Sequence, residues 1–140
     1  LSAGIQSDFR KTVFLKNPRL LLLIDAVGAL VTLLFTACLL APAWIPTGLP
    51  TKALIALAAA AGGLFATSMT GYFIAKDFGS LLRLIAVLNT SYCLVAIGLC
   101  AVYWSSLTIL GAIYFTLEVL IVLMLAAVEW RMGRTTSTTN

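Results

Sequence analysis

The chain has 140 residues, of which 61% are hydrophobic and 10% charged, with a formal net charge of +4 and no histidine. Its mean hydropathy of +1.07 excludes an ordinary soluble domain, whose exterior must be covered largely by polar groups. Without histidine there is no bis-histidine haem, no imidazole metal site and no histidine-based triad.

The first residues, "LSAGIQSDFRKTVFLK", set Ile5, Phe9, Val13 and Phe14 among charges. That weak amphipathic pattern fits either a short interfacial helix or a plain cytoplasmic tail over residues 1–19. Asn17-Pro18 reads as a helix cap followed by the first helical position. Four apolar runs follow, at about 20–41, 52–75, 81–103 and 108–128. Each is about 20 residues, which at ~1.5 Å per residue crosses a hydrocarbon core of ~30 Å. Lipid offers the backbone no hydrogen-bond partners, so the runs must be helices. The first run is longer than a signal-peptide core and contains Asp25, so it is read as a span despite the small residues Ala41-Pro42-Ala43 after it. "APAWIPTGLPTK" is a stiff, proline-rich external loop, "KDFGS" a turn between spans two and three, and "YWSS" a short external turn. Short connections make sequential helices neighbours. The expected fold is therefore an all-α membrane protein: an up-down antiparallel bundle of four transmembrane helices over residues 20–129, with a cytoplasmic tail over 130–140.

Charge sets the expected orientation. Arg10, Lys11, Lys16, Arg19, Lys76, Arg83, Arg131 and Arg134 share one side under an even-span topology, and only Lys52 falls on the other. Short cytoplasmic segments retain Lys and Arg, so both termini are expected in the cytoplasm. The bias also argues against an exporter that inserts in both orientations. The positive charge needs no nucleic-acid partner, because its residues stand where topology and anionic lipid put them.

Small residues mark candidate helix contacts: Gly28 and Thr32 in span one, Gly63, Thr67 and Gly71 at intervals of four in span two, and Gly111 in span four. Such faces let helix backbones approach closely in lipid, and packing is the expected role. A groove lined by hydroxyls for transport is the alternative.

The polar residues are fewer and more telling. Glu118 sits at the centre of "YFTLEVLIVLMLAAVEW". Facing lipid, its charge would cost about 3 kcal/mol on insertion scales, so it is expected to face inward. There it can hold a proton, pair with Arg83, or accept hydrogen bonds from Asn89 and a tyrosine hydroxyl. Asp25, Arg83, Asn89 and Glu118, with Tyr92 or Tyr114 nearby, form the candidate intramembrane polar cluster. Intramembrane ionisable groups are functional candidates by default, a satisfied interhelical hydrogen bond being the plainer account. Glu129, beside Arg131, reads as the solvated end of the last helix. Cys38, Cys93 and Cys100 form no Cys-x-x-Cys and are expected to be inert thiols, although Cys38 and Cys100 share the external end. No phosphate loop or nucleophile elbow occurs, and no catalytic residue, metal site or cofactor is expected.

The phrases "KNPRLLLLIDAVGAL", "GLPTKAL", "LLRLIAVLNTSYC" and "LGAIYFTLEVLIVLMLAAVEWR" together resemble a group of small four-span bacterial membrane proteins. The resemblance covers roughly Lys16 to Arg131. It implies a bacterial inner membrane and places Asp25, Arg83, Asn89, Tyr92 and Glu118 in the shared pattern, without implying an activity. Three classes stand. The main reading is a non-catalytic membrane subunit or interaction protein, with the bilayer and either a membrane-protein partner or a second copy of the chain as its partners. The next is a small-solute or proton-coupled carrier using Glu118. The last is a membrane enzyme, for which the sequence offers no motif.

Overall fold

The computed structural model describes Gly4 and residues 17–40 and 44–137. The interfacial segment expected around residues 5–14, the Ala41–Ala43 stretch and the last three residues lie outside the described residues. Among the described residues four long helices form the fold: α1 (Pro18–Phe35), α2 (Thr51–Ile74), α3 (Phe78–Val102) and α4 (Ile109–Ser137). A π-helical turn, Thr36–Leu40, extends α1. All four are long and apolar enough to cross a membrane, which marks a multi-pass membrane protein.

Helix starts follow from local chemistry. Pro18 occupies the first turn of α1, where its missing N–H is not needed, behind an extended Asn17. Asp77 caps α3: its carboxylate accepts from the Gly79 and Ser80 N–H groups at 3.0 and 3.3 Å. Hydrogen bonding from Ser80, reinforced by Gly79 and Arg83, holds the Asp77 carboxyl below its ordinary value of 3.8. A lowered value means that the cap stabilises the fold above the ordinary aspartate range and fades as pH falls through the folded-state value.

Along each helix the buried positions recur every three or four residues, the period of a single inward face. They are Leu22, Asp25 and Ala29 on α1, and Leu57, Ala61, Leu64, Ser68 and Gly71 on α2. On α3 they are Leu82, Ile85, Asn89, Tyr92 and Ala96, and on α4 Gly111, Phe115, Glu118, Ala126 and Glu129. The outward faces carry Val31, Ile55, Leu94, Ile109 and Ile121, each more than half exposed. That is the inversion expected of a chain whose solvent is hydrocarbon. Helix α1 packs along α2 and α3 along α4, while α2 meets α3 less extensively and α1 barely touches α4.

The α1–α2 connection folds onto the α3–α4 turn at the opposite end from Asp77. The Thr108 N–H donates to the Thr47 carbonyl at 3.0 Å and the Thr108 hydroxyl to the Pro46 carbonyl at 2.6 Å. Close approach there requires glycine. Gly48 has φ +88° and its Cα faces the Ser106 carbonyl, while Gly111 lies against the Thr47 carbonyl; a Cβ at either would overlap backbone. Trp44 and Trp104, both largely exposed, flank this end as interfacial tryptophans do.

Not every small residue expected at a helix contact is found at one. Gly71 packs against Leu81, but Gly28 and Gly63 have open space where a side chain would stand. Thr67 is half-buried and donates back to the Gly63 carbonyl. The inward stripe of α2 runs one residue over, through Leu64 and Ser68, because one residue turns a helix by about 100°. The cysteines are free, with Cys38 exposed and Cys93 buried.

Replacing Gly48 by Ala is expected to destabilise the fold by more than about 1 kcal/mol, because the native φ is strained for any L side chain. Gly98→Ala, on an open face of α3, is expected to be tolerated and to stabilise by up to about 1 kcal/mol, the helix-propensity advantage of Ala over Gly. Reversible unfolding in bicelles reads both values.

Candidate functional site

Two polar layers interrupt the apolar interior, roughly three turns or about 16 Å apart along α4. The first takes one side chain from each helix. Asp25 (α1), Ser68 (α2), Asn89 (α3) and Glu129 (α4) are all essentially buried. The Asn89 amide nitrogen donates to Asp25 Oδ1 at 2.8 Å and to Glu129 Oε2 at 3.1 Å. The Ser68 hydroxyl donates to Asp25 Oδ2. One carboxamide thus bridges two carboxyl groups from helices that otherwise scarcely touch. Among the described residues Glu129 Oε1 has no hydrogen-bond donor.

The second layer centres on Glu118. Its Oε1 accepts from the Tyr92 hydroxyl at 2.9 Å and the Tyr114 hydroxyl at 3.4 Å, while Oε2 is buried and has no hydrogen-bond partner among the described residues. The Tyr114 hydroxyl also meets the Thr36 hydroxyl at 3.5 Å, in the π-helical turn where Thr36 is buried. The ring of Tyr114 stacks on Phe35, with centroids 5.1 Å apart, which joins the end of α1 to α4.

Among the described residues the three carboxyl groups accept from the neutral side chains of Ser68, Asn89, Tyr92 and Tyr114, and Asp25 and Glu129 also lie close enough to interact with each other. Buried negative charge of this kind must be balanced by a proton or by a bound cation.

Both layers border one cleft of about 380 Å³. Asp25, Gly28, Thr32 and Phe35 of α1 form one wall, and Tyr114, Glu118 and Ile121 of α4 the other. Ala61 and Leu64 of α2 with Asn89 and Tyr92 of α3 lie between them. The cleft follows from the packing: α1 leans on α2 and α4 on α3, which leaves the α1–α4 seam unfilled. Its rim residues Val31, Leu117 and Ile121 are more than half exposed, so the opening is on the flank of the bundle. Gly28 lines this cleft and Thr32 faces it half-buried, instead of serving a tight helix contact.

Of the expected polar cluster, Asp25, Asn89, Tyr92, Tyr114 and Glu118 border the cleft, whereas Arg83 stands apart. Arg83 Nε donates to the Gly79 carbonyl at 3.4 Å and its Nη2 to the Ser80 hydroxyl at 3.5 Å. Nine residues separate it from Tyr92 on the same helix, about 13 Å of rise, which puts it far from the depth of Glu118. Glu129 is the opposite case. Expected at a solvated helix end, it has no exposed surface and belongs to the Asn89 layer. Helix α4 continues to Ser137, so Glu129 is an interior position with two further turns beyond it. Ser68 also went unremarked in the sequence, although it lies seven residues after Ala61 on the buried stripe.

Among the described residues no group of three or more His, Cys, Asp or Glu side chains is placed to hold a metal ion. No protein-family model, curated protein or solved structure matches the chain.

Asn89→Leu is nearly isosteric but strips Asp25 and Glu129 of their shared donor. It is expected to destabilise the protein by about 2–4 kcal/mol in bicelle unfolding, the cost of leaving buried charged acceptors unmet. Ser91→Ala, on the exposed face of the same helix, is the control and should stay within about 0.5 kcal/mol.

Proposed function

We propose that this chain is a small carrier of the bacterial cytoplasmic membrane that takes its ligand laterally from the bilayer into the α1–α4 cleft. The observation that carries the reading is Glu118: a carboxyl group with an unpartnered oxygen, lining a cleft that opens on the lipid-facing flank. A carboxyl group needed only to tie helices together could be closed over, as Glu129 is. Beside an open apolar cleft, it offers a site for a proton or a polar head group.

In this reading the helices run up-down antiparallel, with both termini in the cytoplasm. The short links between helices support the first point and the distribution of Lys and Arg the second. The resemblance to small four-span bacterial proteins supports the choice of membrane. The membrane-subunit reading keeps one observation in its favour: the same seam, with open space at Gly28, has room for another protein's helix.

Proteoliposomes challenged with a pH step and with amphiphiles of each charge type separate the two readings. The carrier reading expects charge movement or flux that Glu118→Gln abolishes while the protein remains folded. Equal signals from the wild type and the variant would remove the carrier reading and leave the subunit. Orientation is checked by impermeant maleimide on intact cells, in a background lacking the native thiols. Trp44→Cys should label from outside and Lys76→Cys only after permeabilisation; the reverse pattern overturns the orientation.

A further inference from the structure

The carrier reading leaves the class of ligand open, and the chemistry of the cleft narrows it. We propose that the α1–α4 cleft binds a cationic amphiphile, with an alkylammonium-type head group held near Glu118 and an apolar chain leaving past Val31 and Ile121 into the bilayer. The inference rests on the reading of the cleft as a ligand site.

Three features of the site converge on this class. The first is charge: Asp25 and Glu118 both line the cleft, and among the described residues no lysine or arginine does. A neutral head can offer two acidic groups only hydrogen bonds and an anionic head is repelled by them, whereas a cation supplies the missing counter-charge in a medium where screening is weak. The second is the aromatic wall. Phe35, Tyr92 and Tyr114 line the same space, and aromatic faces attract alkylated ammonium groups through their quadrupole without needing hydrogen bonds from them. Both tyrosine hydroxyls donate to Glu118 Oε1, which leaves Oε2 as the acceptor not already engaged by a described residue. The third is shape. The rest of the lining is aliphatic, and its outer members, Val31 and Ile121, are 60% and 65% exposed on the flank. A chain attached to the head group therefore leaves the cleft into hydrocarbon without crossing a polar surface. The available volume, about 380 Å³, lies in the range of small-ligand sites.

The test uses an alkyltrimethylammonium carrying a diazirine on its chain, photolysed in proteoliposomes, with labelled residues mapped by mass spectrometry. Dodecyltrimethylammonium, dodecanol and dodecyl sulfate serve as competitors. Labelling is expected at Val31, Leu117 or Ile121. Dodecyltrimethylammonium should suppress it at concentrations at least about tenfold lower than dodecanol, the advantage expected of a charge-assisted contact. In Glu118→Gln, which keeps an acceptor for Tyr92, that preference should collapse towards parity. Gly28→Leu provides a check that does not touch the polar residues. An added Cβ meets nothing within 4 Å there, so the fold is expected to tolerate it, while the larger side chain occupies the cleft and removes the specific labelling. Equal competition by dodecanol, or an unchanged preference in Glu118→Gln, overturns the cationic assignment and leaves a ligand cleft of another specificity. Failure of the probe and of a neutral diazirine analogue alike to label the cleft overturns both the assignment and the carrier reading.

Discussion

A carboxyl group surrounded by hydrocarbon cannot be left to itself, and the arrangement of this protein follows from how its three buried ones are met. The central device is the Asn89 amide, which donates to Asp25 and to Glu129. These acceptors stand on α1 and α4, the pair with little direct contact of their own. Helix α3 therefore acts as the tie of the bundle, and its buried stripe holds Asn89 and Tyr92 one turn apart, one for each polar layer. Ser68 adds the contribution of α2. Without a hydrophobic driving force between helices in lipid, such interhelical hydrogen bonds and close backbone approach are what specify the packing.

The two layers are built differently, and the difference carries the functional argument. Around Glu129 the side chains come from all four helices and enclose the group fully. Around Glu118 the donors are two phenols whose rings also face the cleft. The stacking of Tyr114 on Phe35 and the contact of its hydroxyl with Thr36 brace that wall against the π-helical end of α1. At the other end, the backbone contacts of Thr47 and Thr108 and the glycines beneath them fasten the α1–α2 connection to the α3–α4 turn. The seam between α1 and α4 is thus bridged by the Asn89 layer and by Tyr114, and open along the flank between them.

Much of this was legible in the sequence, because hydrocarbon imposes strong rules. Four apolar runs of sufficient length, broken by proline, glycine and Asp77, leave little freedom in the number and placement of helices. Asp25, Asn89, Tyr92 and Glu118 stood out because a polar group is rare in such runs. The difficulty lay in rotation about each helix axis. On α2 every face is apolar or small, so nothing in the pattern separated the stripe through Gly63 and Thr67 from the one through Leu64 and Ser68. Rotation by a single residue turned Gly63 outward and left Thr67 half-buried, while Gly71 still packs against Leu81. Glu129 was hidden by its neighbourhood: beside Trp130 and Arg131 it looked like a helix end, yet α4 carries on for two more turns. Its spacing of eleven residues from Glu118, three full turns on the same face, was the available signal. Arg83 drew attention by its charge, and only its distance from Tyr92 along α3 separates it from Glu118.

The central claim is that Asp25 and Glu129 form one energetic unit with Asn89, which donates to both. A double-mutant cycle with Asp25→Asn and Glu129→Gln, followed by unfolding in bicelles, measures that unit directly. The structure predicts a coupling energy of about 0.5–3 kcal/mol between the two sites, as found for residues sharing one hydrogen-bond network. Additivity within about 0.3 kcal/mol, the behaviour of independent sites, would contradict it.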